Sequence, residues 1–221
     1  FTERSDEDIG GRSIAATVAD FVNETAGALL EKHPDVKLQF GLHAMSVKNR
    51  LEEIARVDRR VAILWEDCGE FPYSYWPKAD EKKFEEALAF TKKILSLRGD
   101  APVGLVFKGN MTLDWTKFVN QRGPFVLGKN AAEIAEHDAR LRRGAWRAFS
   151  AGWMRYGGYA ARMLKYIEEN AAGDVEMCLA GTFDGGVRLP QALCAQMFYA
   201  KGEDFGETLE KTARRSYVTL D

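Results

Sequence analysis

The stretch RVAILWED, residues 60–67, contains the pattern that decides the fold. Its apolar residues run from position 61 to position 65 without alternating with polar ones, which is typical of a parallel strand covered on both faces. The run ends at Glu66 and Asp67, where the chain leaves the core for solvent. We therefore predict a buried parallel strand with two carboxylates at its carboxyl end.

Further elements follow from the same kind of pattern on either side of this strand. Apolar residues recur with helical spacing from Ser13 to about Leu30, and a short helix is expected at about 47–57. Three more strands are predicted in VKLQFGLHAM (36–45), PVGLVFKG (102–109) and DVEMCLA (174–180). Other helices are expected from a cap at Asp80 to Leu95, within 131–170 as one or two helices, in RLPQALCAQMFYA (188–200) and over 205–215.

This alternation of helices and strands is the signature of an α/β fold with a parallel sheet. The chain has 221 residues, which favours one domain over residues 1–221. Hydrophobic residues make up 46% of the chain, so it has enough apolar material for a sizeable core.

Charge and cysteine content narrow the classes of partner and compartment. The 31 basic and 33 acidic residues give a net charge of -2, without the positive footprint of a nucleic-acid-binding protein. The apolar runs are too short to span a membrane. Three cysteines without metal-ligand spacing favour a reducing compartment, so a cytoplasmic location is expected.

Ionisable residues stand at the carboxyl end of every predicted strand. Ligands of parallel α/β folds bind at this end, because the loops converge there above a rigid core. Ionisable residues also occur wherever a buried strand meets solvent, so each position alone has a second, purely structural interpretation. The candidates are His43 on the first strand, Glu66 and Asp67 on the second, Lys108 on the third and Asp184 after the fourth.

Aromatic residues are concentrated in the loops that follow these strands. Tyr75 and Trp76 follow the second strand, and Trp115 stands beside Asp114 in the long loop after the third. A sugar ring packs its apolar face on aromatic rings, while its hydroxyl edge binds carboxylates, lysine and histidine. The same rings would serve equally well as a plug packed on the core, and both interpretations stay open.

Fingerprints of the common cofactors are missing from the sequence. It has no phosphate-binding or dinucleotide-binding glycine loop before a helix, and no serine-centred nucleophile elbow. We therefore predict no cofactor.

Three stretches together carry a resemblance to a known class of protein. They are GGRSIAATVADFVNETAGALLEKHPDVKLQFGLHAMSV (10–47), RVAILWEDCGEFPYSYWP (60–77) and DVEMCLAGTFDGGVRLPQALCAQMFYAKGEDFGETL (174–209). They resemble the later part of TIM-barrel glycosidase-like proteins, namely uncharacterised bacterial relatives of the family 20 hexosaminidases and the α-glucuronidases. The last stretch is similar to the eighth strand of these barrels and the helix after it.

The resemblance implies a (β/α)8 barrel that acts on or binds carbohydrate. Such a barrel takes about 250 residues. The four β/α units and extra C-terminal helices predicted here therefore correspond to a partial barrel, with its N-terminal strands outside this chain. The catalytic Asp-Glu pair of the family 20 enzymes lies on the fourth strand, so Glu66 and Asp67 do not correspond to it by position.

The main functional prediction is a glycoside hydrolase, or part of one. Glu66 or Asp67 is the leading acid/base candidate. The residues expected to orient substrate are His43, Lys108, Asp114 and Asp184, and those expected to line the pocket are Trp65, Tyr75, Trp76 and Trp115.

Two alternatives remain. The first is a metal-dependent sugar isomerase or epimerase, since His, Glu and Asp from several strand ends suit a divalent ion. The second is a non-catalytic carbohydrate-binding or assembly module. The open edges of half a barrel further predict a partner, either a second copy of the chain or the missing N-terminal half.

Overall fold

A computed structural model describes residues 8–69, 81–108, 136, 151, 154–180, 188–200 and 202–216. The chain divides into two compact units. The first contains residues 1–71, 80–107 and 165–178, and the second contains 72–79, 108–164 and 179–221. The single domain over residues 1–221 stays a prediction.

A four-stranded parallel sheet forms the centre of the fold, as the apolar runs predicted. Its strands are β3 (Leu38–His43), β4 (Val61–Gly69), β5 (Val103–Lys108) and β6 (Val175–Ala180). They lie side by side in chain order, so each strand pairs with the next one along the sequence. A short antiparallel hairpin, β1 (Asp8–Ile9) with β2 (Arg12–Ser13), precedes the sheet and was not expected from the sequence.

The α/β class is confirmed, whereas the described residues do not form a closed barrel. In the ranges that the structure describes, the sheet is an open row, and no pairing joins β6 to β3. A doubly wound sheet reverses its strand order at a switch point. The order of these four strands contains no such reversal.

Helices alternate with the strands along the chain. They are α1 (Ile14–Lys32), α2 (Leu51–Ile54), α3 (Glu81–Ser96), α4 (154–170), α5 (Arg188–Tyr199) and α6 (Phe205–Arg215), with a 3-10 turn at Ala44–Val47. The helix expected at about 47–57 is therefore only one turn of α-helix after a 3-10 turn. None of the helices in the described ranges is both long enough and apolar enough to cross a membrane.

Helix α1 begins at Ile14, directly after its N-cap residue Ser13. The Ser13 hydroxyl accepts a hydrogen bond from the backbone N–H of Ala16 at 3.2 Å, satisfying one of the donors left open at a helix start. The same hydroxyl contacts the Glu53 carboxylate of α2. The cap therefore ties the first helix to the segment between β3 and β4.

One face of the sheet is the core of the first unit. Every second residue of β4 has its side chain on this face. These residues are Val61, Ile63 and Trp65, and each is at most 2% exposed. Their register partners include Leu42 on β3 and Leu105 on β5, which are also buried. Ala62, whose side chain lies on the other face, is buried as well. Because β4 is buried on both faces, its apolar run is continuous.

The opposite face is concave. Gln39 of β3 donates a hydrogen bond to the Glu176 carboxylate of β6, although these strands are the two outer members of the row. The edges of a flat four-stranded sheet lie about 14 Å apart, and side chains on a flat face point in parallel. The contact therefore requires the sheet to curve towards the face that carries Gln39 and Glu176.

Small residues make room on this concave face. A Cβ atom on Gly104 of β5 would lie 2.3 Å from Leu64 Cδ1 and 3.2 Å from Leu64 Cα, so the leucine of β4 rests directly on the glycine. Gly41 of β3 has no neighbour within 4 Å of the corresponding position. The glycine at 104 is thus required by packing, whereas the glycine at 41 is not.

A polar network holds the loops at the amino ends of the strands. The backbone N–H of Asp58 donates to Asn23 Oδ1 at 2.6 Å, and the buried Arg98 donates to the Asp58 carbonyl at 2.6 Å. The Arg60 guanidinium contacts the Asp58 carboxylate at 2.6 Å. These bonds join α1, the entry to β4 and the loop before β5.

The Asp58 carboxyl is the clearest perturbed acid in the described part of the chain. Its hydrogen bond from the Arg60 side chain, followed by that from the Arg60 backbone N–H, lowers its pKa to about 2, and partial burial opposes the change. The pKa is thus lower in the folded protein than the ordinary value of 3.8. Ionised Asp58 therefore stabilises the fold above about pH 4, and this contribution disappears as the pH falls to about 2.

We expect Gly104→Ala to lower the free energy of unfolding by about 1–3 kcal/mol, because the new methyl group overlaps Leu64. Gly41→Ala is the matched control and should change stability by less than about 0.5 kcal/mol, or raise it slightly. Urea unfolding of both variants measures the difference. Equal effects at the two glycines would contradict the close packing on the concave face.

We expect Asp58→Asn to lower the free energy of unfolding at pH 7 by about 1 kcal/mol, after allowance for solvent screening of its exposed Arg60 partner. The deficit should shrink between about pH 4 and pH 2, where wild-type Asp58 becomes protonated. Denaturant unfolding as a function of pH tests this. Asp100→Asn, which removes an exposed partner of Arg59, is the control and should cost less than about 0.5 kcal/mol. A deficit independent of pH would contradict the role of the charge.

Candidate functional site

Three of the predicted site residues have described side chains, namely His43, Trp65 and Glu66. Asp67 lies in β4 and Lys108 is the last residue of β5, but only their backbone is described. Five others lie outside the described residues: Tyr75, Trp76, Asp114, Trp115 and Asp184.

His43 and Glu66 meet at the carboxyl ends of neighbouring parallel strands. They are register partners, the last of six consecutive pairs between β3 and β4. His43 Nε2 lies 3.3 Å from Glu66 Oε2, and the two side chains are 38% and 32% exposed. The structure thus brings together two predicted site residues from different strands and leaves both accessible to a ligand.

The turn that follows β3 fixes the position of His43. The residue ends the strand and precedes the 3-10 turn, whose Ala44 and Val47 are buried at 0% and 4% exposure. Because these two residues are buried directly after the strand, they hold the end of β3 in place. The imidazole therefore projects from a rigid part of the backbone.

The pairing of β4 with β5 is irregular beside Glu66. Trp65 pairs with Leu105, but the next pair is Gly69 with Phe107, so β4 contains two more residues than β5 over this interval. Bulges of this kind redirect side chains and are common next to active sites. The irregularity covers positions 66–68, which include both carboxylates that the sequence singled out.

Trp65 lies on the other face of the sheet. Its side chain is 1% exposed, and it pairs with Leu42 and Leu105 in the core layer. Side chains of neighbouring strand residues point to opposite faces, so Trp65 and Glu66 point apart. A place for Trp65 in a pocket wall would require this ring to leave the core.

The His43–Glu66 pair has the chemistry of a general acid or base with its orienting group. A carboxylate beside an imidazole fixes the orientation of the ring, and either group can exchange a proton with a ligand hydroxyl. The pair alone does not complete a glycosidase site, which needs two carboxyl groups about 5–10 Å apart.

Metal ligation needs more groups than the described part of the site offers. Among the described side chains, no three His, Cys, Asp or Glu residues are grouped so as to hold a metal ion. The pair could supply two ligands, an imidazole nitrogen and a carboxylate oxygen. Further ligands would have to come from outside the described ranges.

Sequence reasoning found both members of the pair and missed the bulge. The strand-end positions of His43 and Glu66 follow from where the apolar runs stop. The extra residues in β4 depend on how β5 pairs with it, and no local pattern of residues 66–68 indicates that.

Comparisons with protein-family models, with curated proteins and with solved structures returned no match.

We expect Trp65→Phe to lower the free energy of unfolding by about 1–3 kcal/mol, because the smaller ring leaves a cavity in the core layer. Denaturant unfolding measures the loss. Tyr199→Phe, at an aromatic residue that is 89% exposed, is the control and should leave stability unchanged. An equal, negligible effect at both positions would mean that Trp65 is not part of the core.

Proposed function

We propose that the protein is carbohydrate-active, and that it is a glycoside hydrolase or part of one. The observation that carries this proposal is the His43–Glu66 pair, 3.3 Å apart and partly exposed at the carboxyl ends of adjacent parallel strands. This end of a parallel sheet is where such folds place their chemistry. The resemblance of three long stretches to TIM-barrel glycosidase-like proteins supports the same class.

The fold supports a barrel as the setting of the site. Consecutive parallel strands in chain order, curved towards one face, correspond to part of a (β/α)8 barrel. In such a barrel the concave face is the interior, and the carboxyl rim carries the ligand. We propose that the four strands are part of a barrel of this kind.

Each site residue has a role in the proposed mechanism. Glu66 is the acid or base that exchanges a proton with the glycosidic oxygen or with water, and His43 orients its carboxyl group. Asp67 is the candidate for the second carboxylate, whose distance from Glu66 would decide between a retaining and an inverting reaction. Asp184 orients substrate. Lys108 and Asp114 bind substrate hydroxyls, and the rings that form the sugar platform are Tyr75, Trp76 and Trp115.

The bulge in β4 fits this mechanism. Regular alternation would direct Glu66 and Asp67 to opposite faces of the sheet. Two extra residues at positions 66–68 interrupt this regular alternation.

We expect Glu66→Gln to reduce hydrolysis of aryl glycosides by about 10²–10⁴-fold, because the amide neither donates nor accepts the catalytic proton. His43→Asn should cost less, about tenfold to a hundredfold. Turnover of a panel of aryl glycosides and oligosaccharides is the measurement. Asp174→Asn, at the amino end of β6, is the matched control and should retain full activity.

Three outcomes separate this proposal from its alternatives. A loss below about tenfold for both Glu66→Gln and Asp67→Asn would exclude a catalytic role for this strand end. Saturable oligosaccharide binding without turnover would identify a carbohydrate-binding module. Stoichiometric metal in the purified protein, with activity abolished by a chelator, would favour a metal-dependent sugar isomerase or epimerase.

A further inference from the structure

An open position lies next to the candidate site on the concave face of the sheet. Alternate residues of a strand share a face, so Gly41 lies between Gln39 and His43 on this face of β3. Gly41 is exposed, and a Cβ atom added to it would have no neighbour within 4 Å in the described part of the chain. The sheet surface is therefore open two residues before the His43–Glu66 pair.

The neighbouring strand leaves this position open. Leu64 of β4 is the register partner of Gly41, but its side chain packs onto Gly104 of β5 on its other side. A Cβ atom on Gly104 would overlap Cδ1 of this leucine, whereas a Cβ atom on Gly41 would not reach it. The leucine is therefore turned away from β3. We call the resulting space over Gly41 the recess.

The recess ends at the hydrogen bond that Gln39 donates to the Glu176 carboxylate of β6. This bond crosses the concave face above β4, and Ala62, the register partner of Gln39 on that strand, is only 5% exposed. The concave face is thus covered at the level of the bond and open two residues further along β3. With about 3.3 Å per residue, the backbone from Gln39 to His43 spans about 13 Å.

Hydrogen-bonding atoms remain available at this closed end. The bond uses one N–H of the Gln39 amide and one oxygen of the Glu176 carboxylate. The other amide N–H, the amide oxygen and the second carboxylate oxygen make no further hydrogen bond among the described residues. A hydroxyl group both donates and accepts, so it suits such a set of atoms. Carboxylates at both ends of the recess, Glu176 and Glu66, disfavour an anionic group.

We propose that the recess is a binding subsite for a neutral, hydroxyl-bearing group of the ligand, and that Gly41 determines specificity by leaving it open. The inference rests on the proposed function, because it takes the ligand to be a carbohydrate whose other part contacts the His43–Glu66 pair. The ligand enters from the carboxyl ends of the strands, where that pair is accessible. Its hydroxyl groups bind the free atoms of Gln39 and Glu176.

The first test is a bulky substitution at position 41. Gly41→Leu places a side chain in the recess without displacing a neighbour, so the variant should unfold at the same urea concentration as the wild type or a higher one. It should raise KM for aryl glycosides at least about tenfold and change kcat less, because it blocks binding and leaves proton transfer intact. Gly27→Leu on α1, another position with nothing within 4 Å, is the matched control and should leave both constants unchanged.

Chemical labelling tests the recess without requiring turnover. Gly41→Cys should react with iodoacetamide at least about tenfold faster than Ala62→Cys, because position 62 lies on the same face but is buried. Both rates are measured against the parent protein, which has three cysteines. In a panel of neutral mono- and oligosaccharides, at least one should slow the labelling of Gly41→Cys several-fold, whereas sodium sulfate should not.

The outcomes separate this subsite from the proposed function. Equal labelling of Gly41→Cys and Ala62→Cys, or a lower urea midpoint for Gly41→Leu, would show that another part of the protein fills the recess, and the subsite is then excluded. An active enzyme whose KM does not change in Gly41→Leu overturns the subsite and leaves the proposed function standing. Protection from labelling without hydrolysis supports the subsite and excludes a glycoside hydrolase. Neither hydrolysis nor protection by any saccharide of the panel overturns both.

Discussion

The in-register pairing of β3 with β4 is the constraint on which the rest of the structure depends. Six consecutive residue pairs align the two strands, and a slip by one residue would turn every side chain of β3 to the other face. The apolar layer around Ile63 and Trp65 excludes that slip, because it would bury polar side chains in the core. The meeting of His43 with Glu66 is therefore a consequence of core packing, without any energetic contribution required from the pair itself.

Curvature has a similarly simple origin. Leu64 rests on Gly104, and Gln39 reaches Glu176 across the same face of the sheet. The close contact at Gly104 and the bond between the two outer strands lie on the same face, and the sheet curves towards that face.

Much of the fold could be predicted from the sequence, because it depends on local apolar patterns. The continuous run in β4, the helical spacing in α1 and the strand ending at His43 all appear in the structure where these patterns placed them. The two-residue strands β1 and β2 are too short to form a pattern. The contact between Gln39 and Glu176 joins residues 137 positions apart, and the bulge at 66–68 depends on the pairing partner, so neither could be found locally.

In the candidate site, too, features that depend on local pattern could be predicted and features that depend on neighbouring strands could not. The strand-end rule predicted His43 and Glu66, and the pair forms. The rule of alternation alone would have separated Trp65 from Glu66, yet the aromatic character of Trp65 made it a candidate for the pocket wall. Burial of that ring depends on the neighbouring strands, which supply Leu42 and Leu105 around it.

The network around Asp58 and Arg98 lies at the opposite end of the strands from His43 and Glu66. The groups that hold the loops together are thus separated from those available to a ligand by the length of a strand. Side chains at the carboxyl ends of the strands, here called the rim, can consequently be exchanged over evolutionary time, or by design, with little damage to folding. Such a scaffold can acquire new ligand preferences through changes at its rim while the amino-end loops keep it intact.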